Sequence, residues 1–208
     1  MPPHRVFIES HLGGGACMRH KRPAEINIGI DRDERLIDVW RTEQATTCEL
    51  VHGDAATFLR TYPFIGDELV YADPPYVPTT RRRATVYRCD YAMADHIALL
   101  KVLTELPCMV MVSGYDNDFY SNRLSEWRRA AFRAMTHQGP RLENVWMNYP
   151  EPSALHDARF MGETFRQRQS ARRRHERLLR RFEVMDVVER EYVLSILRTR
   201  FSHDEVAE

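Results

Sequence analysis

The sequence lacks the cysteine pairs and long apolar runs that mark many secreted and membrane proteins. Its four cysteines, Cys17, Cys48, Cys89 and Cys108, are widely separated, which argues against a disulfide framework and against a cysteine zinc site. No apolar run approaches the ~20 residues that span a bilayer, and the N-terminal stretch has no signal-peptide pattern. We therefore expect a cytosolic protein with reduced, mostly buried thiols, no bound metal and no membrane partner.

Lysine and net charge are also scarce. There are two lysines against 28 arginines, and the formal net charge is zero, which argues against a uniformly basic nucleic-acid binder. The basic charge is segregated, because residues 159–181 contain nine arginines and two glutamates, whereas residues 182–208 contain three arginines and seven acids. Segregated basic charge is the form that a phosphate-contacting surface takes.

The chain lacks the two glycine motifs that bind common phosphorylated cofactors. It has no Gly-x-Gly-x-x-Gly and no Gly-Lys-Ser/Thr, so a dinucleotide or a nucleoside triphosphate is not the first expectation. Gly13–Gly15 nevertheless follow a predicted strand, and Asp31 ends the next strand 18 residues after Gly13. This is close to the ~20 residues between the glycines and the ribose-binding acid of nucleotide folds. The pattern predicts a ligand with a ribose and little or no phosphate; a flexible glycine turn is the alternative.

Predicted strands and helices alternate through residue 113. This alternation is typical of an α/β fold with a mainly parallel, doubly wound sheet and helices on both faces. Pro150-Glu-Pro152 then marks a boundary, beyond which the pattern becomes helical and basic. The sequence therefore predicts a first domain over residues 1–152 and a basic helical appendage over residues 153–208.

Two finer features follow from the same pattern. Residues 33–42 have helical spacing and are expected to direct four apolar side chains inwards, Leu36, Ile37, Val39 and Trp40. Further along the chain, Gly139 and Pro140 separate two predicted strands. We expect these two residues to form the turn of a hairpin.

Asp73-Pro-Pro-Tyr76 directly follows the apolar stretch Leu69–Ala72. Proline cannot donate to a β ladder and favours extended geometry in the residue before it, so the strand should end near Ala72 with Asp73 at its carboxyl end. Ligands bind outside the carboxyl ends of parallel strands. There a carboxylate and the Pro74 carbonyl can accept both hydrogens of a planar amino group, while Tyr76 stacks on the base that carries it. The alternative is a proline-terminated strand with a surface aspartate and a packed tyrosine.

Together these motifs resemble the S-adenosylmethionine-dependent N6-adenine DNA methyltransferases, in particular the bacterial and phage group that includes the Dam enzymes. The resemblance rests on Glu9-x-x-x-Gly-Gly-Gly-Ala16, Asp31, Gly53-Asp54 and Asp73-Pro-Pro-Tyr76, and it extends to Val112-Ser-Gly-Tyr-Asp116 and Glu143–Asn148. It implies a Rossmann-like methyltransferase fold, S-adenosylmethionine as the cofactor and methyl transfer to adenine N6 in DNA. It also implies a bacterial or phage-encoded cytoplasmic enzyme.

The resemblance implies a role for each residue of these motifs. The catalytic set is Asp73, Pro74, Pro75 and Tyr76, in which the acid and the following carbonyl hold the target amino group and the tyrosine stacks on the flipped adenine. The cofactor set is Glu9, His11, Gly13, Gly14, Gly15, Asp31, Asp54 and Asp73. Within this set, Asp31 would bind the ribose hydroxyls and Asp54 would approach the cofactor's adenine.

The sequence departs from the family pattern at two points. Ser10 and His11 stand where the family usually has Pro-Phe. Only Met1–His4 precede the first strand, so we expect the helix that usually closes over the cofactor to be absent or to come from a partner. These departures keep open a non-catalytic methyltransferase-like subunit that binds nucleic acid or a partner chain. A further alternative keeps the chemistry but takes adenine in RNA as the substrate.

DNA contact is predicted for two arginine-rich stretches. The first follows the catalytic motif and contains Arg81, Arg82, Arg83 and Arg88, with Tyr87 and Tyr91 beside them; the second contains Arg172, Arg173 and Arg174. Either stretch could track phosphates, and a solvated basic surface is the alternative for each. A homodimer or a partner subunit is expected to supply the missing lid or the recognition of the target sequence.

Overall fold

The computed structural model describes residues 1–43, 48–77, 88–136, 139–162 and 164–201. The chain divides into two compact units, Met1–His156 and Asp157–Glu208. Residues 153–156, assigned to the appendage from the sequence, belong to the first unit. His156 anchors them there, because its backbone N–H donates to the Met1 carbonyl at 3.1 Å.

The first unit is built on a seven-stranded sheet. Its strands are Val6–Glu9 (β1), Ile26–Asp31 (β2), Glu49–His52 (β3), Glu68–Ala72 (β4), Met109–Tyr115 (β5), Arg128–Thr136 (β6) and Gly139–Met147 (β7). Their order is β3-β2-β1-β4-β5-β7-β6. The first five strands run parallel, and β7 is antiparallel to both β5 and β6.

Short helices connect the strands and follow them closely. In the first unit these are Ala16–His20 (α1), Glu34–Thr42 (α2), Ala55–Thr61 (α3), Met93–Glu105 (α4) and Asp118–Arg123 (α5); the second unit contains a 3-10 turn, Ala158–Phe160, and the helices Phe165–Glu183 (α6) and Val187–Phe201 (α7). Asp33 and Asp54 begin α2 and α3 by accepting backbone N–H bonds from Arg35 and Thr57. None of the helices in the described ranges is both long and apolar enough to cross a membrane.

Apolar side chains cover both faces of the sheet. Ile8 and Val70 pack on one face with residues of α3 and α4, whereas their strand neighbours Phe7 and Leu69 pack on the other with residues of α1 and α2. Successive strand residues point to opposite faces, so helices on both sides require the nearly continuous apolar strands seen in the sequence. The predicted α/β fold, with a mainly parallel, doubly wound sheet and helices on both faces, is therefore confirmed.

Three expectations about local structure need correction. Val39 is 54% exposed rather than inward, because only the side of α2 that carries Ile37 and Trp40 faces the sheet. The predicted turn residues Gly139 and Pro140 instead begin β7, opposite the end of β6, where a missing proline N–H is tolerated. Of the four free cysteines only Cys108 is buried, and the other three are half-buried.

Two stacked histidines fix the N-terminal segment to the end of the first unit. The rings of His4 and His156 lie 3.9 Å apart at an angle of 21°. His4 Nδ1 donates to the Pro2 carbonyl, and His156 Nε2 donates to the Arg22 carbonyl. Burial lowers the pKa of His4 to about 4 and also lowers the pKa of His156. The folded protein therefore favours neutral imidazoles at this contact.

We predict that acid weakens the histidine contact. Unfolded His4 takes up a proton near pH 6.5 and folded His4 only near pH 4, so its contribution to stability is complete above the first value and is lost as the pH falls to the second. A His4→Phe variant keeps a stacking ring that cannot be protonated. Urea unfolding gives the free energy of unfolding at about pH 7.5 and at about pH 4.5. The decrease in this free energy between the two pH values should be smaller in the variant than in the wild type by on the order of 1–2 kcal/mol. Equal losses in the two proteins would contradict this account.

Candidate active site

The strand order creates a crevice at the carboxyl ends of β1 and β4. The chain passes from β1 outwards through β2 and β3 and then returns to β4 on the other side of β1, which is the switch point where α/β folds bind ligands. A cavity of about 330 Å³ lies here. Of the predicted site residues, it is lined by Glu9, His11, Gly13, Gly14, Gly15, Asp31, Asp73, Pro74, Pro75 and Tyr76. The cavity thus brings the two predicted motifs together.

The glycine loop after β1 is held in a defined conformation. Gly13 and Gly15 have positive φ angles of 47° and 61°, which glycine adopts without strain. The Gly13 N–H donates to Asp31 Oδ2 at 2.9 Å, and Trp40 Nε1 donates to the Gly13 carbonyl at 3.0 Å. A Cβ on Gly15 would collide with the Trp40 ring, whereas a Cβ on Gly14 would meet no protein atom within 4 Å. The loop is therefore fixed against α2 and leaves an open backbone at Gly14.

Asp31 retains the capacity to bind hydroxyl groups. Besides the Gly13 bond, its Oδ1 accepts the Asp33 N–H at 2.8 Å. Each carboxylate oxygen has a further lone pair, and Asp31 lines the cavity. A ligand with a vicinal diol could therefore donate to this carboxylate without displacing either backbone bond.

Asp54 has a different surrounding from Asp31. It does not line the cavity, although its neighbours Gly53 and Ala55 do. Its Oδ1 accepts from the backbone and hydroxyl of Thr57, and its Oδ2 accepts from Arg32. Burial opposes the ionisation of Asp54, but the bonds from Thr57 and Arg32 outweigh it and lower its pKa. In this structure Asp54 caps α3 and holds Arg32.

His11 is held between two hydroxyl groups. Its Nδ1 lies 3.0 Å from Ser10 Oγ and its Nε2 lies 2.8 Å from the Tyr91 hydroxyl. Burial, with the nearby charge of Arg32, lowers the pKa of His11 to about 3, so the ring is neutral. Tyr91, expected to contact DNA, is instead buried and lines the cavity. This position follows from the His11 bond and from the Arg32 guanidinium, which lies 4.5 Å from the Tyr91 ring.

Asp73 is oriented by a residue of the neighbouring strand. Ser113 on β5 donates its hydroxyl proton to Asp73 Oδ1 at 2.8 Å, and the Tyr71 hydroxyl lies 3.0 Å from the same Ser113 oxygen. Surrounding protein raises the pKa of Asp73 to about 6; the Ser113 bond opposes this rise and the charge of Glu143 adds to it. The side chain still lines the cavity, so one oxygen is fixed while the carboxylate remains open to a ligand.

Tyr76 is positioned by the antiparallel end of the sheet. Its hydroxyl donates to Glu143 Oε1 at 3.1 Å, and Glu143 lies on β7. The Tyr76 ring lies 4.1 Å from that of Tyr115, with a tilt of 41°. Burial and nearby carboxylates raise the pKa of Tyr76. Two tyrosines from different elements thus stand beside Asp73.

Carboxylates outnumber cations around the cavity. Four acids line it, Glu9, Asp31, Asp33 and Asp73, together with two arginines, Arg32 and Arg88. Both arginines already have acidic partners, Asp54 and Asp95 for the first and Asp33 for the second. Burial raises the pKa of Glu9 to about 8, the bond from the Met18 N–H opposes this rise, and the charge of Asp73 adds to it. These surroundings favour a ligand with positive charge.

Four of the seven predicted DNA-contacting arginines fall within the described residues. Arg88 lines the cavity, whereas Arg81, Arg82 and Arg83 fall outside the described residues. Arg172, Arg173 and Arg174 are exposed on α6. Within the described ranges, no group of three or more His, Cys, Asp or Glu side chains could hold a metal ion.

Four residues that shape the site were given no role in this cavity from the sequence, although two of them lie in stretches that carry the family resemblance: Trp40, Tyr91, Ser113 and Glu143. The sequence did contain an indication that Ser113 belongs to the site, because it is a polar residue near the end of the buried β5 run. The contacts of Trp40 and Glu143 depend on which elements become neighbours. No local pattern reports those contacts.

No family model matches the chain, and no curated protein matches it. Among solved structures, it resembles a candidate methyltransferase from Streptococcus mutans in complex with SAH, with 12% identity over 71% of this chain and 89% of that chain and a TM-score of 0.46. An rRNA methylase from Streptococcus thermophilus has 10% identity over 71% and 88% of the two chains, with a TM-score of 0.46. The 23S rRNA methyltransferase ErmE has 14% identity over 70% of this chain and 62% of that chain, with a TM-score of 0.46. These values describe a similarity of fold alone.

We predict that Gly15→Ala destabilises the glycine loop and Gly14→Ala does not. The first substitution combines a left-handed φ with a collision against Trp40, whereas the second meets open space. Overpacking with backbone strain costs about 1–3 kcal/mol, which corresponds to a fall in Tm of several degrees for a chain of this size. Thermal unfolding of both variants measures the difference, and equal Tm values would show that Trp40 does not brace the loop.

Proposed function

We propose that this protein is an S-adenosylmethionine-dependent methyltransferase that methylates the N6 amino group of adenine in DNA. The observation that carries the proposal is one cavity lined both by the glycine loop with Asp31 and by Asp73-Pro-Pro-Tyr76. The first set suits a ribose-bearing cofactor, and the second suits a planar amine on a base. Methyl transfer requires these two ligands to meet, and the cavity offers both sets of contacts in one place.

The residues of the cavity fit the cofactor. The open backbone at Gly14 permits close approach, and the Asp31 carboxylate can accept from ribose hydroxyls. Glu9 and Asp73 provide two carboxyl groups near the place for a cationic group, which would favour their ionised forms. His11, neutral and fixed by Ser10 and Tyr91, offers a ring surface where the resembling family has phenylalanine. When bound, S-adenosylmethionine supplies an electrophilic methyl group on a sulfonium centre.

Asp73 and the Pro74 carbonyl would hold the target amine. The lone pair of an exocyclic amine is delocalised into the adenine ring, so the amine is a poor nucleophile. Two acceptors on its hydrogens increase the electron density on nitrogen and orient the lone pair towards the methyl group. Tyr76 would stack on the flipped base. The acceptors thus provide both recognition and activation.

Ser113 and Glu143 support this set as positioning residues. Ser113 fixes one oxygen of Asp73, which leaves the other for the amine. Glu143 holds the Tyr76 hydroxyl, which sets the plane against which a base stacks. Ser113 comes from β5, which lies beside β4, and Glu143 comes from β7, which lies beside β5. The motif is therefore preorganised by the sheet rather than by its own loop.

The partners follow from the chemistry. DNA with a flipped adenine is the proposed substrate, and Arg88 at the cavity edge is a proposed phosphate contact. The second unit is proposed as the DNA-contacting appendage. A second copy of the chain, or a partner subunit, is proposed to cover the cofactor and to contribute to recognition of the target sequence.

The proposal is tested by methyl transfer to a random-sequence DNA pool. We expect label from methyl-labelled S-adenosylmethionine to appear in N6-methyladenine after nucleoside digestion and mass spectrometry. Asp73→Asn should lower transfer by at least about 1,000-fold, because it replaces the charged acceptor. Its Tm should equal or exceed that of the wild type, because a raised carboxyl pKa means that folding disfavours the ionised form.

The same assay has outcomes that would contradict the proposal. Label in N4-methylcytosine, or equal transfer by wild type and Asp73→Asn, would refute the assigned roles. An equimolar RNA pool in the reaction separates the RNA alternative, since DNA should take up most of the label. If Asp73→Asn loses activity and also has a lower Tm than the wild type, the loss reflects unfolding. The test is then made with Asp73→Ser.

We predict an acid limb in the pH profile of kcat/KM that belongs to Asp73. The ionised carboxylate is the form that accepts from the amine, so kcat/KM should fall as the pH drops through about 6. Ser113→Ala removes a bond that lowers this pKa and should move the acid limb to higher pH, with a loss of roughly tenfold in kcat/KM. Steady-state kinetics from about pH 5 to about pH 9 measure both effects.

Ser10→Ala is the matched control for this pH profile. Ser10 is also a buried serine at the end of a neighbouring strand, but its hydroxyl donates to the Tyr71 carbonyl rather than to Asp73. The acid limb should therefore stay in place in this variant. If the acid limb moves equally in both variants, or in neither, Ser113 does not control the pKa of Asp73.

A further inference from the structure

Helix α6 carries an unusual density of arginine. Eight of its 19 residues are arginines, and only Glu176 and Glu183 are acidic. These arginines are not equivalent, because 3.6 residues per turn distribute them around the helix axis. Their positions around the axis divide them into two sets of four.

The first set forms a straight line along one side of the helix. Arg166, Arg173, Arg177 and Arg180 are separated by seven, four and three positions, so they lie within about 60° around the axis and extend over about 21 Å. We call this set the arginine ridge. All four side chains are exposed, and among the described residues none of them forms a salt bridge.

The second set lies off the ridge, and two of its members have partners within the helix. It consists of Arg168, Arg172, Arg174 and Arg181. Arg172 pairs with Glu176 at 2.8 Å, and Arg174 donates to Ser170 at 3.2 Å. Of the three appendage arginines predicted to contact DNA, only Arg173 is therefore on the ridge.

The ridge lies opposite the apolar side of α6. Ala171, the buried residue of this helix, is about 120–180° around the axis from the ridge arginines. Like charges three and four positions apart repel each other. The ridge therefore destabilises the helix when no ligand is bound. A ligand with regularly spaced negative charges would remove this repulsion.

We infer that the arginine ridge binds the phosphate backbone of duplex nucleic acid. Phosphates along one strand repeat at ~3.4 Å of helix axis, so a row of ~21 Å can meet several of them in sequence. Arginine forms bidentate bonds with phosphate oxygens, and four arginines on one line match a ligand in which the same anionic group repeats. The inference rests on the proposed function only in that the bound duplex is the substrate, and it assigns to the ridge affinity without sequence specificity.

A membrane surface suits the ridge less well than a duplex. A membrane-bound amphipathic helix buries an apolar side in the lipid while its cations face the headgroups. Opposite the ridge, Ala171 is buried, and the exposed apolar side chains on that side, Leu178 and Leu179, are confined to the C-terminal half of the helix. The ridge itself contains no apolar residue between its arginines on that line. Lipid binding is therefore an outcome to be tested against the inference.

The test compares two fourfold variants of the full chain that remove the same charge from the same helix. The ridge variant is R166Q/R173Q/R177Q/R180Q, and the control variant is R168Q/R172Q/R174Q/R181Q. Fluorescence anisotropy with a labelled non-specific duplex of about 30 base pairs, without cofactor, gives Kd at several salt concentrations. The ridge variant should bind at least about tenfold more weakly, and its slope of log K against log salt should be smaller by about 3 to 4.

The control variant should change Kd by less than about threefold and should retain most of the salt slope. Equal losses in the two variants, or no loss in the ridge variant with its helix content intact by circular dichroism, would overturn the inference. Vesicles of phosphatidylserine and phosphatidylcholine provide a second arm. The inference would also be overturned if the wild type binds the vesicles and the ridge variant does not, while both bind the duplex equally. The readout involves no methyl transfer, so failure of the proposed activity leaves this result interpretable.

Discussion

The parallel pairing of β1 with β4 is the constraint on which the site depends. The two strands are in register with Glu9 opposite Tyr71, so the loops that follow them leave the sheet side by side. One loop contains Gly13–Gly15 and the other contains Asp73 to Tyr76. The two motifs are about 60 residues apart in the sequence and line one cavity because these strands are neighbours. The flanking strands β2 and β5 then contribute Asp31, which lines the cavity, and Ser113, which donates to Asp73.

Burial of acidic groups is the second physical feature of the cavity. Glu9 and Asp73 have pKa values raised to about 8 and about 6, which means that the folded chain disfavours their ionised forms. Such groups reduce stability at neutral pH and are retained where a site uses them. A cationic ligand near both carboxylates would favour ionisation and lower both pKa values. The site is thus best satisfied when such a ligand is bound.

The sequence predicts this site where local chemistry dictates structure. Consecutive prolines end β4, positive φ requires glycine at two loop positions, and alternating patterns mark the strands. It fails where a role depends on which surfaces become neighbours. Glu143 reaches Tyr76 only because β7 inserts beside β5, and Tyr91 turned out to support His11 although it stands in an arginine-rich context. Val39 shows the same limit in the core, since only one side of α2 meets the sheet.

The two units divide the proposed work between chemistry and contact with the substrate. Isothermal titration calorimetry with S-adenosylmethionine shows most directly whether the cavity has the assigned organisation. The wild type and Asp73→Asn should both bind the cofactor, because Asp31 and the glycine loop provide most of the contacts. The variant should bind less than about tenfold more weakly, because it loses one carboxylate near the cationic group. Gly15→Ala should bind at least about tenfold more weakly, because its loop is displaced from Trp40. No binding to the wild type at millimolar concentration, even with DNA present, would contradict the assignment of the cavity.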